Sequence, residues 1–203
     1  MDTKDRILEV AERLFAERGI AGTSLRAVTA EAGANVAAVH YHFGSKEDLT
    51  RAVVLRRAEP VNAERLRRLD AIEAEAGPDG PGVESILEAF FRAPVQLWAE
   101  GGETVASFLL HEPVDRIQPL VMEVMGEVAR RFLAALARAL PHLPPQEVAE
   151  RFQLVIGVLI HVLSGRMRWE PQPIPVRSVD GRVRVLVDTL AAALRAPAIE
   201  EAS

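Results

Sequence analysis

Apolar residues recur along this chain at intervals of three and four, and no convincing stretch alternates with a period of two. That spacing predicts helices throughout. Ile7, Val10, Ala11, Leu14 and Phe15 share one face of a helix over about Thr3 to Glu17, which Arg18-Gly19 ends. Leu25, Val28, Ala32, Ala34 and Val39 form a small apolar set that closes a corner between two short helices. Gly33 permits the positive φ of the turn between them, and Asn35 is placed to cap the second. A fourth helix starts at Ser45, where Ser45 and Asp48 fit a capping box, and runs towards Arg57. Pro60 interrupts it, and the pattern resumes over Val61 to Ile72. Gly77 to Gly82 is the clearest loop. Helices follow over about Val83 to Ala99, bent at Pro94, and over Thr104 to His111, with a break at Gly101-Gly102. Pro113 and Pro119 bracket a loop. Pro119 to Leu140, Gln146 to Leu163 and Val179 to Leu194 complete about nine helices. The stretch from Leu154 onward is apolar nearly all round, so it must be buried on more than one side.

The corner at Gly33 is a helix-turn-helix, a motif that sets its second helix into the DNA major groove. Here that helix carries small residues that allow close approach. His40, Tyr41 and His42 follow, with groups able to donate to phosphate oxygens. The spacing of His40 and His42 does not suit a metal site, where i and i+4 are expected on a helix.

Three helices with these loops, and the run Tyr41-His42-Phe43-Gly44-Ser45-Lys46-Glu47-Asp48-Leu49, resemble the DNA-binding head of the TetR family of transcriptional regulators. The resemblance covers roughly residues 3 to 52. It departs from the usual pattern at His40, where many members carry Tyr, and at Thr29, where Ala is more usual and a partly exposed face is expected. It implies an all-α fold: a three-helix head over 1–48, then a helical effector-binding and dimerisation bundle over 49–203. The order of loop, proline and helix from Arg56 to Leu97 also resembles the branch that includes regulators of fatty-acid metabolism. By this resemblance Thr23, Ser24 and Asn35 lie on the DNA side, and Arg26 reaches a base or a phosphate. Val36, Ala37 and Ala38 face base edges, while His40, Tyr41, His42 and Lys46 hold the backbone. Specificity then rests largely on Arg26 and DNA shape.

The bundle offers Phe90, Phe91, Trp98, Phe108, Met122 and Met125 as candidate walls of an apolar effector cavity, with His111 and Glu112 as polar groups. Each is also an ordinary core residue type. His111 fits equally a helix end near the C-terminal dipole. Val155, Leu159 and Val162, with Val183, Leu186, Val187 and Leu190, are the candidate dimer interface.

Charge refines this picture. The formal net charge is −5. Residues 1–57 carry nine Lys and Arg against eight Asp and Glu, so the head is the less acidic part of the chain. The chain has no cysteine, and hence no disulfide framework or thiolate metal site. No Gly-x-Ser-x-Gly, phosphate loop or His-Glu-x-x-His motif supports an enzyme, and neither cofactor nor metal is expected. The charged start is unlike a signal peptide, and the run Leu154 to Leu163 is too short to span a bilayer, so a cytoplasmic location is expected. The function expected is that of a homodimeric repressor. It would bind double-stranded operator DNA and release it when a small apolar molecule binds. The alternative is a regulator without such a ligand, governed by a protein partner or constitutive.

Overall fold

The computed structural model describes residues 2–78, 80–100, 114–164 and 177–199, the side chains of 114–117 and 164 excepted. Among them are eight α-helices and no strand: α1 (Thr3–Arg18), α2 (Leu25–Glu31), α3 (Val36–His42), α4 (Lys46–Glu75), α5 (Val83–Ala99), α6 (Val114–Ala139), α7 (Pro145–Ser164) and α8 (Val179–Leu194). The ninth helix, expected over Thr104 to His111, lies outside the described residues.

Contacts divide the chain into two compact units, residues 1–60 with 103–124, and residues 61–102 with 125–203. In the first, Asp2, Ser24 and Asn35 cap α1, α2 and α3, each accepting a backbone N–H. Gly33 makes the tight turn at φ 61°. Ile7, Ala11, Leu14 and Phe15 of α1 close on Val28, Val39, Leu49 and Val53, all at most 1% exposed. Leu120, Val121 and Val124 of α6 pack on this cluster.

α4 corrects one expectation. Pro60 does not end it, and the helix is continuous from Lys46 to Glu75. Proline removes one intrahelical bond, to the carbonyl of Arg56, but both residues are exposed, where water can replace the lost donor. Leu49, Val53 and Val54 before Pro60, and Leu69 after it, are fully buried, so packing outweighs the local penalty. Pro119 likewise lies exposed inside α6, which is helical from Val114 where a loop was expected.

The second unit centres on Phe90. Its ring lies 5.5 Å from that of Phe91, 5.1 Å from Phe132 and 5.5 Å from Phe152, all edge-on. Pro94, one turn on, is buried inside α5 and cannot donate to the Phe90 carbonyl. The Nε–H of Arg65 donates to it instead, at 2.9 Å.

Candidate nucleic-acid interface

The exposed side of the two-helix corner follows from the caps. Asn35 spends its side-chain oxygen on the Ala38 N–H at 2.8 Å, and Ser24 accepts from the Ala27 N–H at 3.1 Å. Both residues stay exposed, with the rest of their polar capacity facing solvent. Arg26, the second residue of α2, is exposed as well. Of the three small positions on α3, Ala37 is exposed, while Val36 and Ala38 are half-buried. Tyr41 is 85% exposed and sets its ring edge-on to His42, with centroids 5.0 Å apart. Lys46 opens α4, half-buried.

Three residues behave differently from expectation. Thr23 is only 1% exposed, and its hydroxyl lies 3.1 Å from the Leu14 carbonyl and 2.9 Å from that of Gly19. It pins the loop after α1, with its hydroxyl taken up inside the head. Thr29 is buried rather than partly exposed, and its hydroxyl donates to the Arg26 carbonyl at 3.2 Å. His40 places Nδ1 2.7 Å from the Gly44 carbonyl, so that nitrogen carries the proton and closes the end of α3. With the proton on Nδ1, Nε2 is an acceptor and has no hydrogen to give a phosphate.

Gly44 makes that turn at φ 91°, a conformation that disfavours any residue with a Cβ. Next to it the capping box is altered. Ser45 Oγ accepts the Asp48 N–H at 3.0 Å, and the Ser45 hydroxyl itself donates to Asp48 Oδ2 at 2.6 Å.

The cations of the first unit sort into two groups. Arg13 pairs with Glu17 and Glu31, Arg18 with Glu17, Arg51 with Glu123, Arg56 with Glu9 and Arg57 with Glu12. These pairs tie α1 to α2 and α4, and α4 to α6. Among the described residues Lys4, Arg6, Arg26 and Lys46 form no ion pair, and Arg6 instead donates to the Thr3 hydroxyl at 3.4 Å. Two of these four, Arg26 and Lys46, flank the corner. The tie between Arg13 and Glu31 was invisible in the sequence, because eighteen residues separate its ends.

In the second unit Phe90 and Phe91 are 0% exposed, as packed core rather than open wall. Trp98 is half-buried, with the Arg182 guanidinium 4.5 Å above its ring. Met125 is half-buried. Met122, expected to line a cavity, is 63% exposed. Phe108, His111 and Glu112 lie outside the described residues.

The expected dimer residues need correction too. Val155, Leu159, Val183, Val187 and Leu190 are at most 9% exposed within the single chain, so they offer a partner little surface. Val162 and Leu186 are half-buried. The outward apolar positions of α7 and α8 are Leu154, Ile160 and Val185, at 70%, 36% and 46%. Gly157 lies between the first two, and a Cβ there would meet nothing within 4 Å.

Sequence reading also missed Arg65, which is 3% exposed. The signal was present: Ala58, Asn62, Arg65, Leu69 and Ile72 recur at helical spacing, so a charge sits on an otherwise mostly apolar stripe.

A capped three-helix unit with an exposed second helix, flanked by unpaired cations, defines a helix-turn-helix protein of the DNA-binding kind. A profile of the bacterial regulatory proteins of the tetR family matches residues 7–53, and one of the tetracyclin repressor-like C-terminal domain matches residues 88–196. The chain belongs to the TetR family. It is 33% identical over 89 residues to the HTH-type transcriptional regulator TtgR of Pseudomonas putida, covering 44% of this chain and 41% of TtgR. The chain thus matches under half of that relative's length. It is 27% identical over 190 residues to the HTH-type transcriptional regulator BetI of Rhizobium meliloti, covering 94% of this chain and 88% of BetI. In fold it is similar to Mycobacterium smegmatis AmtR, with a TM-score of 0.63 at 20% identity over 100% of this chain and 89% of that one. Among the described residues no helix is long and apolar enough to cross a membrane.

Proposed function

We propose that this chain is a homodimeric transcriptional repressor that binds a palindromic operator and releases it when a small organic effector enters the second unit. The observation that carries the DNA reading is that Arg26, exposed, and Lys46, half-buried, form no ion pair among the described residues and lie on either side of α3. Arg26 reads a base edge or a narrow groove. Lys46 and the Tyr41 hydroxyl hold phosphates. Two such heads reach successive major grooves when about 34 Å apart. The outward positions Leu154, Gly157, Ile160 and Val185 supply the dimer face. An effector favours a second arrangement of the heads, and by linkage DNA weakens effector binding by the same factor.

The test begins with an operator selected from randomised duplexes. Arg26→Ala should cost roughly 1–3 kcal/mol on that operator and relax its sequence preference. Lys46→Ala should weaken all sequences alike and flatten the salt slope by about one. If neither variant changes operator binding, the interface is misplaced.

A further inference from the structure

We propose that Arg65 is the anchor for the anionic head of a small organic molecule with an apolar body, bound in the second unit. The inference rests on the effector reading above and adds the chemistry of the ligand.

The guanidinium is buried, and each of its nitrogens can be followed. Nε–H donates to the Phe90 carbonyl at 2.9 Å. Nη1 donates to Asn62 Oδ1 at 3.0 Å and lies 3.6 Å from Met125 Sδ. Nη2 has no acceptor among the described residues. The carbon of the guanidinium sits 4.5 Å from the Phe90 ring centroid. No described carboxylate pairs with it. Its neighbours on α4 differ: Arg67 and Arg68 both pair with Glu64. Arg151, whose side chain is 13% exposed, pairs with Glu147 and also donates to backbone carbonyls.

A structural duty accounts for part of Arg65. Pro94 leaves the Phe90 carbonyl without its helical donor, and Nε–H replaces it. That duty needs one N–H and no charge, so a neutral amide would serve. It explains neither the positive charge nor the unfilled Nη2. A buried charge is costly unless paired, and most arginines in this unit are paired. Burial pulls the Arg65 pKa down to about 9, so the group is still a cation at neutral pH. A buried guanidinium whose Nη2 has no acceptor among the described residues can still donate to a carboxylate or a similar oxyanion. Leu69, Phe90, Phe91 and Phe132, all 0% exposed, make this part of the unit apolar, which suits an amphipathic anion and not a hydrophilic one.

The experiment uses the full chain and two matched pairs of probes, octanoate with octanol and benzoate with benzyl alcohol. Binding is measured by calorimetry, and release of the selected operator is followed in parallel. At least one acid should bind about tenfold or more tightly than its alcohol. Arg65→Gln, which keeps a donor for the Phe90 carbonyl, should erase that preference, and Arg65→Lys should keep part of it. Circular dichroism checks that the variants fold. If Arg65→Gln does not fold, loss of the preference in Arg65→Lys at pH 11, above the lysine range, with the wild type compared at pH 7, takes its place. The proposal is overturned if the alcohols bind as well as the acids, if Arg65→Gln keeps the preference, or if no probe binds. Acid binding that depends on Arg65 but leaves the operator bound would uphold the site and refute the effector reading instead.

Discussion

Thr23→Val separates a residue that builds the head from one that touches DNA. Valine has nearly the shape of threonine, so the substitution removes the hydroxyl and leaves the packing. The hydroxyl is buried, and its one proton is shared between the carbonyls of Leu14 and Gly19, at 3.1 and 2.9 Å. Losing a buried hydrogen bond and leaving an acceptor unsatisfied costs about 1–2 kcal/mol. For a chain of this size that lowers the melting temperature by roughly 2–8 °C. Operator affinity measured well below the transition should change less than about twofold, since no contact with DNA is removed. Arg26→Ala should do the reverse. Its exposed side chain makes no ion pair, so stability should stay within about 0.5 kcal/mol while operator binding falls. Thermal melts and fluorescence anisotropy on both variants decide the matter. If Thr23→Val weakened operator binding tenfold with an unchanged melt, its hydroxyl would be at the DNA surface and the placement argued here would be wrong.

Two further outcomes are expected. Leu154→Glu together with Val185→Glu should leave the folded single chain intact, because both residues are exposed, but place charges on the proposed dimer face. Light scattering should then report the 22.2 kDa chain where the wild type reports twice that mass, and an unchanged dimer would move the interface elsewhere. Acid should destabilise the protein between about pH 4.5 and pH 2. Arg67 hydrogen-bonds Glu64 and holds its carboxyl down at about 2, and Arg195, Arg51 and Arg130 hold Glu84, Glu123 and Glu127 below the ordinary range. A carboxylate depressed in the fold contributes stability above its unfolded pKa and loses it as pH falls through the folded one. Melting temperatures that stay flat from pH 5 to pH 2 would contradict this.

What the sequence made legible was local. Gly33 and Asn35 act within a few residues of themselves, so the corner could be placed from residue types alone. The same holds for α5 and α8, whose ends fall where Gly82 and Ser178 start them. Pro60 and Pro119 misled because a proline penalty is also local, whereas the burial that overrides it comes from residues far along the chain. Thr23 misled in the same way: a hydroxyl beside a DNA-binding corner fits a phosphate contact until its burial is known. The dimer residues show a different limit. On a helix apolar nearly all round, spacing identifies the stripe that meets the chain's own core. The outward stripe, which we propose for a partner, is the weaker one, Leu154, Gly157 and Ile160, and only exposure separates the two.

Arg65 joins these limits. Its place on the stripe of Leu69 and Ile72 was readable, but its reason was not, because Pro94 orphans a carbonyl on a helix that the sequence does not bring near α4. Once the fold supplies that neighbour, the proline explains one nitrogen of the guanidinium. Among the described residues no carboxylate balances the charge itself, and that is the part of Arg65 the proposed anion accounts for.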